Sequence, residues 1–169
     1  MSDLHIKVME NDIPSSFTCG EDSIDALTRT AYNKTLYKQA IAYNILVGDR
    51  LVGNCMLKVA HICDEEYYVS DQDYAALELS YLAIDSGLQR NGIGTKVLNI
   101  LTSYARDISD TLPIRFLVLD AFEDKVDWYK KAGFGEYPKR ADLRYPGTVA
   151  MKMDFIDKCS ADAYAESHA

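Results

Sequence analysis

The stretch LSYLAIDSGLQRNGIGT, from Leu79 to Thr95, is the most informative part of this 169-residue sequence. It reads as an apolar strand, a turn that contains glycines, and the start of a helix. A turn of this kind directs backbone N–H groups to a point beyond the helix N-terminus, where the helix dipole adds partial positive charge. Gly92 and Gly94 let a phosphate approach the backbone closely, and Arg90 adds a cation. The stretch therefore predicts a phosphate-binding turn.

Two common phosphate-binding motifs do not fit this turn. Gly87 and Gly92 have the glycine spacing of a P-loop, but Ile93 stands where that motif requires lysine. The dinucleotide fingerprint requires a third glycine at the position of Val97. A helix start that binds no ligand remains an alternative reading of the residues alone.

The patterns around this stretch predict the element order β-α-β-β-β-α-β-α-β-β. A helix over Ile93–Asp107 has apolar residues at spacings of three and four. Ile114–Leu119 is apolar apart from Arg115, which is typical of a strand in a buried parallel pair. The remaining predicted strands are Leu4–Val8, Ala40–Val47, Leu51–His61, Leu77–Ile84, Phe134–Tyr137 and Thr148–Phe155. Two more helices are predicted, one from about Ile24, capped by Asp22-Ser23, and one over Lys125–Ala132. Asp64–Asp73 is predicted to be a loop.

The composition predicts one globular domain over residues 1–156, followed by a tail over 157–169 that forms a short helix or is frayed. Apolar residues make up 48% and charged residues 26% of the chain. No run of 18 apolar residues and no apolar leader is present, so we expect a cytoplasmic protein without a membrane partner. The net charge of −8 weighs against a dedicated nucleic-acid binder. The four cysteines and three histidines lack paired spacing, so no metal site is predicted.

Two motifs together resemble a known family. The segment Gln89-Arg90-Asn91-Gly92-Ile93-Gly94 resembles the pyrophosphate-binding signature (Q/R)xxGx(G/A) of the GNAT acyl-CoA N-acyltransferase superfamily. Asp127–Phe134, with its Trp-Tyr pair and Gly-Phe end, is similar to a second recurring element of that family. The resemblance extends over about Phe17–Phe155. It implies an α/β fold with a mixed, mostly antiparallel sheet, a central splayed parallel strand pair, and helices on both faces.

The resemblance also implies a cofactor and its place. Acetyl-CoA would bind in the cleft between the strands Leu77–Ile84 and Ile114–Leu119, CoA would be the product, and no metal would take part. Backbone groups near Leu82 and Ile84 would pair with the pantetheine arm, and one N–H would stabilise the developing oxyanion. Phe122 stands where many members carry an asparagine that contacts the cofactor. The implied cofactor-binding residues are Leu82, Ala83, Ile84, Gln89, Arg90, Asn91, Gly92, Ile93, Gly94 and Thr95.

Two side chains are candidates for catalysis by the same resemblance. Tyr129 matches the tyrosine that protonates the departing CoA thiolate, and Glu78 stands where some members place a general base that acts through water. The alternatives are a core aromatic role for Tyr129 and a salt-bridged strand position for Glu78. Strand alternation predicts that Glu78 shares one face with Ser80 and Leu82. The implied reaction is acetyl transfer to a primary amine by direct attack in a ternary complex.

The acceptor and the partners are less constrained by the sequence. Phe17-Thr18-Cys19-Gly20, followed by Ser23-Ile24-Asp25, is similar to the opening of acetyltransferase toxins that modify aminoacyl-tRNA and of their nontoxic relatives, although a turn and a helix cap also explain these residues. The net charge favours a cationic small-molecule or peptide amine over tRNA. A tRNA-acetylating toxin with an antitoxin partner, a non-catalytic acetyl-CoA-binding module and a homodimer stay open. The candidate basic residues are Arg29, Lys34, Lys38, Lys139, Arg140 and Arg144.

Overall fold

The computed structural model of the chain describes residues 3–62, 74–139 and 144–169. Its elements follow the predicted order, and the C-terminal tail forms an additional helix. The elements are β1 (Leu4–Val8), α1 (Asp22–Leu36), β2 (Ile41–Val47), β3 (Arg50–Ile62), β4 (Tyr74–Ile84), α2 (Ile93–Ser109), β5 (Phe116–Phe122), α3 (Val126–Lys131), β6 (Gly135–Glu136), β7 (Thr148–Asp154) and α4 (Lys158–Ser167). Short 3-10 turns precede α2 and α3.

The strands form one sheet in the order β1-β2-β3-β4-β5-β7-β6. Neighbouring strands are antiparallel except β4 and β5, which are parallel and are joined through α2. This confirms the predicted mixed, mostly antiparallel sheet with one central parallel pair. No helix of the described residues is long and apolar enough to cross a membrane.

Helices cover both faces of the sheet, as predicted. The apolar stripe of α2, which includes Val97, Leu98 and Leu101, packs into a core with β3, β4, β5 and β7. On the opposite face, Ala31 of α1 packs into a second core, together with Met9, Ile13, Phe17, Ala40, Ala42, Met56, Tyr81 and Ala83. The sheet therefore lies between α1 and α2.

A β-bulge interrupts β4 at Ser80. Leu79 pairs with Leu57 of β3 and Tyr81 pairs with Met56, so Ser80 has no residue opposite it on β3. The extra residue shifts the alternation of side chains between the two faces. Leu79 accordingly packs in the core under α2, whereas Tyr81 packs on the α1 side.

The bulge makes one prediction from alternation wrong. Glu78 and Ser80 line the same cavity on the α1 side, but Leu82 packs against the core on the α2 side. Simple alternation would have placed all three side chains on one face. The inserted residue moves every side chain after Ser80 to the other face, which a period of two does not anticipate.

Several predicted boundaries also differ from the structure. The predicted Asp22-Ser23 cap is wrong, because α1 begins at Asp22 and its N-cap residue, Glu21, makes no side-chain capping hydrogen bond. β4 begins at Tyr74, three residues earlier than predicted, and β5 extends to Phe122 rather than ending at Leu119. The predicted loop at Asp64–Asp73 lies outside the described residues.

Candidate active site

The parallel strands β4 and β5 separate after only three paired positions. Ala76 pairs with Phe116, Leu77 with Leu117, and Glu78 with Val118. β4 then continues to Ile84 and β5 to Phe122 without further pairing to each other. Among the described residues no other strand enters this opening. The facing edges of β4 and β5 therefore present backbone N–H and C=O groups that can pair with a ligand.

A cavity of about 430 Å³ lies on the α1 side of this opening. Its walls come from α1, β3, β4, β5 and the segment that leads into β7. Glu78 and Ser80 contribute from β4, and Asp120 and Phe122 contribute from β5. The volume lies within the range of small-molecule sites. The cavity is therefore a candidate acceptor site.

Glu78 lies in the cavity wall and is also ion-paired. Its carboxylate is 3.3 Å from the Lys58 ammonium, and its side chain is 25% exposed. The nearby Ser80 hydroxyl oxygen is buried and has no hydrogen-bond partner among the described residues. Glu78 thus forms the salt bridge that was the alternative interpretation of this residue. It also has the access to the cavity that a general base needs.

Asp120 is a second carboxylate in the cavity, which the sequence analysis missed. Its two oxygens accept hydrogen bonds from Lys139 Nζ at 3.1 and 3.2 Å, and Oδ2 also accepts from the Tyr145 backbone N–H at 3.3 Å. It stands alone as a charged residue in the apolar strand FLVLDAF. That isolated charge was the available signal, because a buried strand carries a carboxylate only where the charge has partners.

Tyr129 lies on α3, which packs on the α2 side of the sheet. Its ring contacts the rings of Trp128 and Phe134 at centroid distances of 4.7 and 5.7 Å. Burial raises the pKa of the Tyr129 hydroxyl above its usual value near 10, so the hydroxyl carries its proton at neutral pH. Tyr129 is half-buried and does not line the cavity around Glu78. The two predicted catalytic side chains therefore lie on opposite faces of the sheet.

The glycine turn leads directly into α2. Gly92 is the N-cap residue with φ +77°, and Arg90 also has a positive φ of 62°. The N-cap makes no side-chain hydrogen bond, and the first helical hydrogen bond runs from Lys96 N–H to the Gly92 carbonyl. The N–H groups of the residues between them, Ile93, Gly94 and Thr95, thus have no partner within the helix. They suit an anionic ligand.

Other side chains of the predicted cofactor set act within the fold. Gln89 Nε2 donates to the carbonyl oxygens of Ile84 at 3.0 Å and Cys19 at 2.6 Å. Asn91 Nδ2 donates to the Leu88 carbonyl at 3.2 Å. The Thr95 hydroxyl accepts from Trp128 Nε1 at 3.1 Å. Gln89, Asn91 and Thr95 thus hold the turn and its neighbours in place.

Leu82, Ala83 and Ile84 have only backbone groups to offer a ligand. Their backbones pair with β3 on one side, and no strand pairs with them on the β5 side within the described residues. Leu82 and Ile84 pack against the core on the α2 side, while Ala83 is buried on the α1 side. Their position matches the expected backbone contacts of a pantetheine arm, which remain a prediction.

The segment before α1 is attached to the glycine turn. The Ser86 N–H donates to the Thr18 carbonyl at 2.9 Å, next to the Gln89 contact with Cys19. Asp25 accepts hydrogen bonds from Cys19 N–H at 2.8 Å and from the Thr18 hydroxyl at 2.5 Å. The Phe17–Gly20 motif therefore connects the start of α1 to the predicted phosphate-binding turn.

Two of the candidate basic residues are used inside the fold. The Arg29 guanidinium donates to the backbone carbonyls of Pro14, Ser15 and Phe17 at 2.8, 3.2 and 2.6 Å. Lys139 pairs with Asp120. Arg140 lies outside the described residues. Within the described ranges, no group of three or more His, Cys, Asp or Glu side chains is arranged to hold a metal ion.

Comparisons with known proteins agree with this fold. A family model described as Acetyltransferase (GNAT) family matches residues 9–134. No curated protein gives a significant match. A solved structure of a bacterial toxin is 19% identical, with a TM-score of 0.75, and the alignment covers 100% of this chain and 98% of that chain. AtaTR bound with AcCoA is 20% identical, with a TM-score of 0.75 and coverages of 92% and 95%. AtaT complexed with acetyl-methionyl-tRNAfMet is 20% identical, with a TM-score of 0.71 and coverages of 88% and 94%.

Proposed function

The chain belongs to the acetyltransferase (GNAT) family, and from this premise we propose that it transfers the acetyl group of acetyl-CoA to a primary amine in a ternary complex. The observation that carries the proposal is the opening between β4 and β5, with a cavity and a carboxylate on its α1 side. The structure of AtaTR bound with AcCoA, which has a similar fold, supports acetyl-CoA as the donor.

The residues present fit acetyl-CoA at three places. The open N–H groups at the start of α2 would bind the pyrophosphate, with Arg90 nearby as a cation. The unpaired edge of β4 from Leu82 to Ile84 would pair with the amide groups of the pantetheine arm. Acetyl-CoA supplies an activated thioester at the end of that arm. A β4 backbone N–H near Leu82 would donate to the thioester carbonyl oxygen as negative charge develops on it.

Two side chains would move the protons of the reaction. The acceptor enters as an ammonium, because a lysine-like amine has a pKa of about 10.4. It must lose a proton before it attacks. Glu78 would receive that proton through a water molecule. The new bond joins the amine nitrogen to the acetyl carbon, and the bond from that carbon to sulfur breaks. Tyr129, which holds its proton at neutral pH, would donate it to the departing thiolate, and the second proton that the nitrogen loses on becoming an amide would restore the tyrosine hydroxyl.

A thiol-release assay tests this function. The protein is mixed with acetyl-CoA and each of a panel of amines, and free CoA thiol is followed with a chromogenic disulfide while mass spectrometry identifies the acetylated product. We expect CoA release that depends on both the amine and the protein. Binding of acetyl-CoA without acetyl transfer to any amine of the panel, or to aminoacyl-tRNA, would instead support a non-catalytic binding module.

A second candidate acceptor is the α-amine of an aminoacyl-tRNA. AtaT, which has a similar fold, is known in complex with acetyl-methionyl-tRNAfMet, and the Phe17–Gly20 motif lies against the predicted cofactor turn. The chemistry at the nitrogen would be the same. The net charge of −8 and the internal use of Arg29 and Lys139 weigh against a tRNA-binding surface. The same assay with charged tRNA and with free amines separates the two acceptors, and an antitoxin partner would accompany only the tRNA reaction.

A further inference from the structure

Asp120 lies two residues beyond Val118, the last residue of β5 that pairs with β4. Leu117 and Leu119 enter the core under α2, whereas Val118 lies on the opposite face. Alternation continues that second face through Asp120 and Phe122, and both residues line the acceptor cavity. The cavity wall on β5 therefore consists of a carboxylate followed by an aromatic ring.

The Asp120 carboxylate binds two residues from a later part of the chain, Lys139 and Tyr145. Lys139 Nζ lies within 3.2 Å of both oxygens, and the Tyr145 N–H donates to one of them at 3.3 Å. The side chains of Asp120 and Lys139 are each 21% exposed, so the ion pair is largely shielded from water. The Thr148 hydroxyl holds the carbonyl of Tyr145 from the other side. The backbone of Tyr145 is thereby fixed at both its N–H and its C=O.

This fixed backbone places the Tyr145 ring at the cavity. The ring packs edge-to-face against Phe122 at a centroid distance of 6.4 Å, and it lines the cavity while Tyr145 is still 49% exposed. Leu27 of α1 and Met56 of β3 supply further apolar wall. The cavity thus has apolar as well as polar walls, and an exposed aromatic ring beside the apolar part is surface that a ligand can cover favourably. Tyr145 and Phe122 thus form an aromatic side of the acceptor cavity, and the other walls carry the charged side chains of Glu78, Asp120, Lys34 and Lys58.

We propose that Asp120 is a positioning residue that fixes Tyr145 as the aromatic wall of the acceptor cavity, and that Tyr145 thereby selects amines that carry a ring beside the reacting nitrogen. The inference rests on the proposed function, since it names the class of acceptor for that same site. The ring of the acceptor packs against Tyr145 and Phe122, and the nitrogen lies toward Glu78. Asp120 acts through the backbone of Tyr145.

Two matched acceptors test this selection. Glycinamide and phenylalaninamide present the same kind of α-amine, and they differ by one benzyl group. The unmodified protein should prefer phenylalaninamide in kcat/KM on the order of tenfold to a hundredfold, because burial of an aromatic side chain has that magnitude. Tyr145→Ala should remove most of the preference, and Tyr145→Phe, which keeps the ring, should retain it.

The Asp120 variants test the positioning role. Asp120→Ala should raise KM for phenylalaninamide with little change in kcat, because Tyr145 loses its fixed position while the reacting groups stay in place. Asp120→Asn keeps an acceptor for the Tyr145 N–H and should have a smaller effect. Glu10→Gln is the control, since it breaks the exposed ion pair with Lys7 on the edge of the sheet and should leave the preference unchanged.

Three results would overturn the inference. Equal kcat/KM values for the two amides in the unmodified protein would show that no aromatic selection exists. A fall in kcat with unchanged KM in Asp120→Ala would assign Asp120 to the chemistry. Absence of acetylation of either amide would also contradict it, and other amines in the thiol-release assay would then show whether the proposed function fails as well. Tyr145 is at the surface, so its variants test the selection even if Asp120→Ala does not fold.

Discussion

Glu78 of β4 pairs with Val118 of β5, and beyond this pair the two parallel strands are no longer bonded to each other. The bulge at Ser80 follows two residues later in β4. Glu78 therefore lies where the paired part of the sheet ends and the open part begins. A carboxylate at that junction can reach the cavity on the α1 side while the adjacent backbone edge stays free for a cofactor.

The first prediction distinguishes a catalytic role of Glu78 from a structural role in its ion pair with Lys58. Glu78→Gln should lower kcat about 10²- to 10⁴-fold, which is the usual contribution of a general base. Lys58→Met breaks the same ion pair but keeps the carboxylate, so its loss of activity should be much smaller. Steady-state kinetics of both variants with one good amine acceptor check this. Equal losses in the two variants would assign Glu78 a structural role.

The second prediction concerns Tyr129. Tyr129→Phe keeps the ring contacts with Trp128 and Phe134 but removes the proton donor, so kcat should fall by on the order of a hundredfold or more. The stabilisation of the protein by acetyl-CoA should stay the same. Tyr164→Phe, at an exposed position on α4, serves as the control. Undiminished acetyl transfer by Tyr129→Phe would refute the acid role.

The third prediction uses two glycines in similar conformations. Gly92 and Gly147 have φ values of +77° and +74°, and neither has a neighbour that an added Cβ would meet within 4 Å. Alanine at either position should cost roughly 1–2 kcal/mol of stability, because a Cβ disfavours the left-handed region. Only Gly92→Ala should also weaken acetyl-CoA binding, measured by calorimetry. The same affinity loss in both variants would mean that the α2 start is not the pyrophosphate site.

The fourth prediction is a loss of stability at alkaline pH. Burial raises the pKa values of Tyr43, Tyr81 and Tyr129 above the usual value near 10. The unfolded chain then releases these protons at lower pH than the folded protein, so the stability that they contribute is complete below about pH 10 and is lost as the pH rises further. Denaturant unfolding between pH 8 and 11 should show a falling free energy of unfolding. Tyr129→Phe should make the fall less steep, and a flat profile would contradict the raised pKa values of these tyrosines.

Local patterns in the sequence predicted much of the fold. The spacing of apolar residues gave α2 its start at Ile93, and β1 has the predicted bounds, Leu4–Val8. These features depend on neighbouring residues, which a sequence displays directly. The turn before α2 also lies where the glycines indicated.

The details of the acceptor cavity depend on contacts between residues that are far apart in the sequence. The bulge at Ser80 is defined by the register between β3 and β4, so alternation along β4 alone gave the wrong face for Leu82. The role of Asp120 follows from its contacts with Lys139 and Tyr145, which lie 19 and 25 residues later in the sequence. A local sequence pattern does not show contacts between distant residues. The isolated carboxylate in β5 was the one local sign that Asp120 has such contacts.

Thermal unfolding with acetyl-CoA, with CoA and NAD as comparison ligands, tests whether the protein binds the proposed acetyl donor. A ligand at 100 times its dissociation constant adds roughly 2.7 kcal/mol to the stability of the folded state. For a chain of this length that should raise the midpoint by several degrees. We expect such a rise with acetyl-CoA and with CoA but not with NAD. An unchanged midpoint at millimolar acetyl-CoA would mean that the glycine turn only starts a helix, and it would contradict the proposed acetyl transfer.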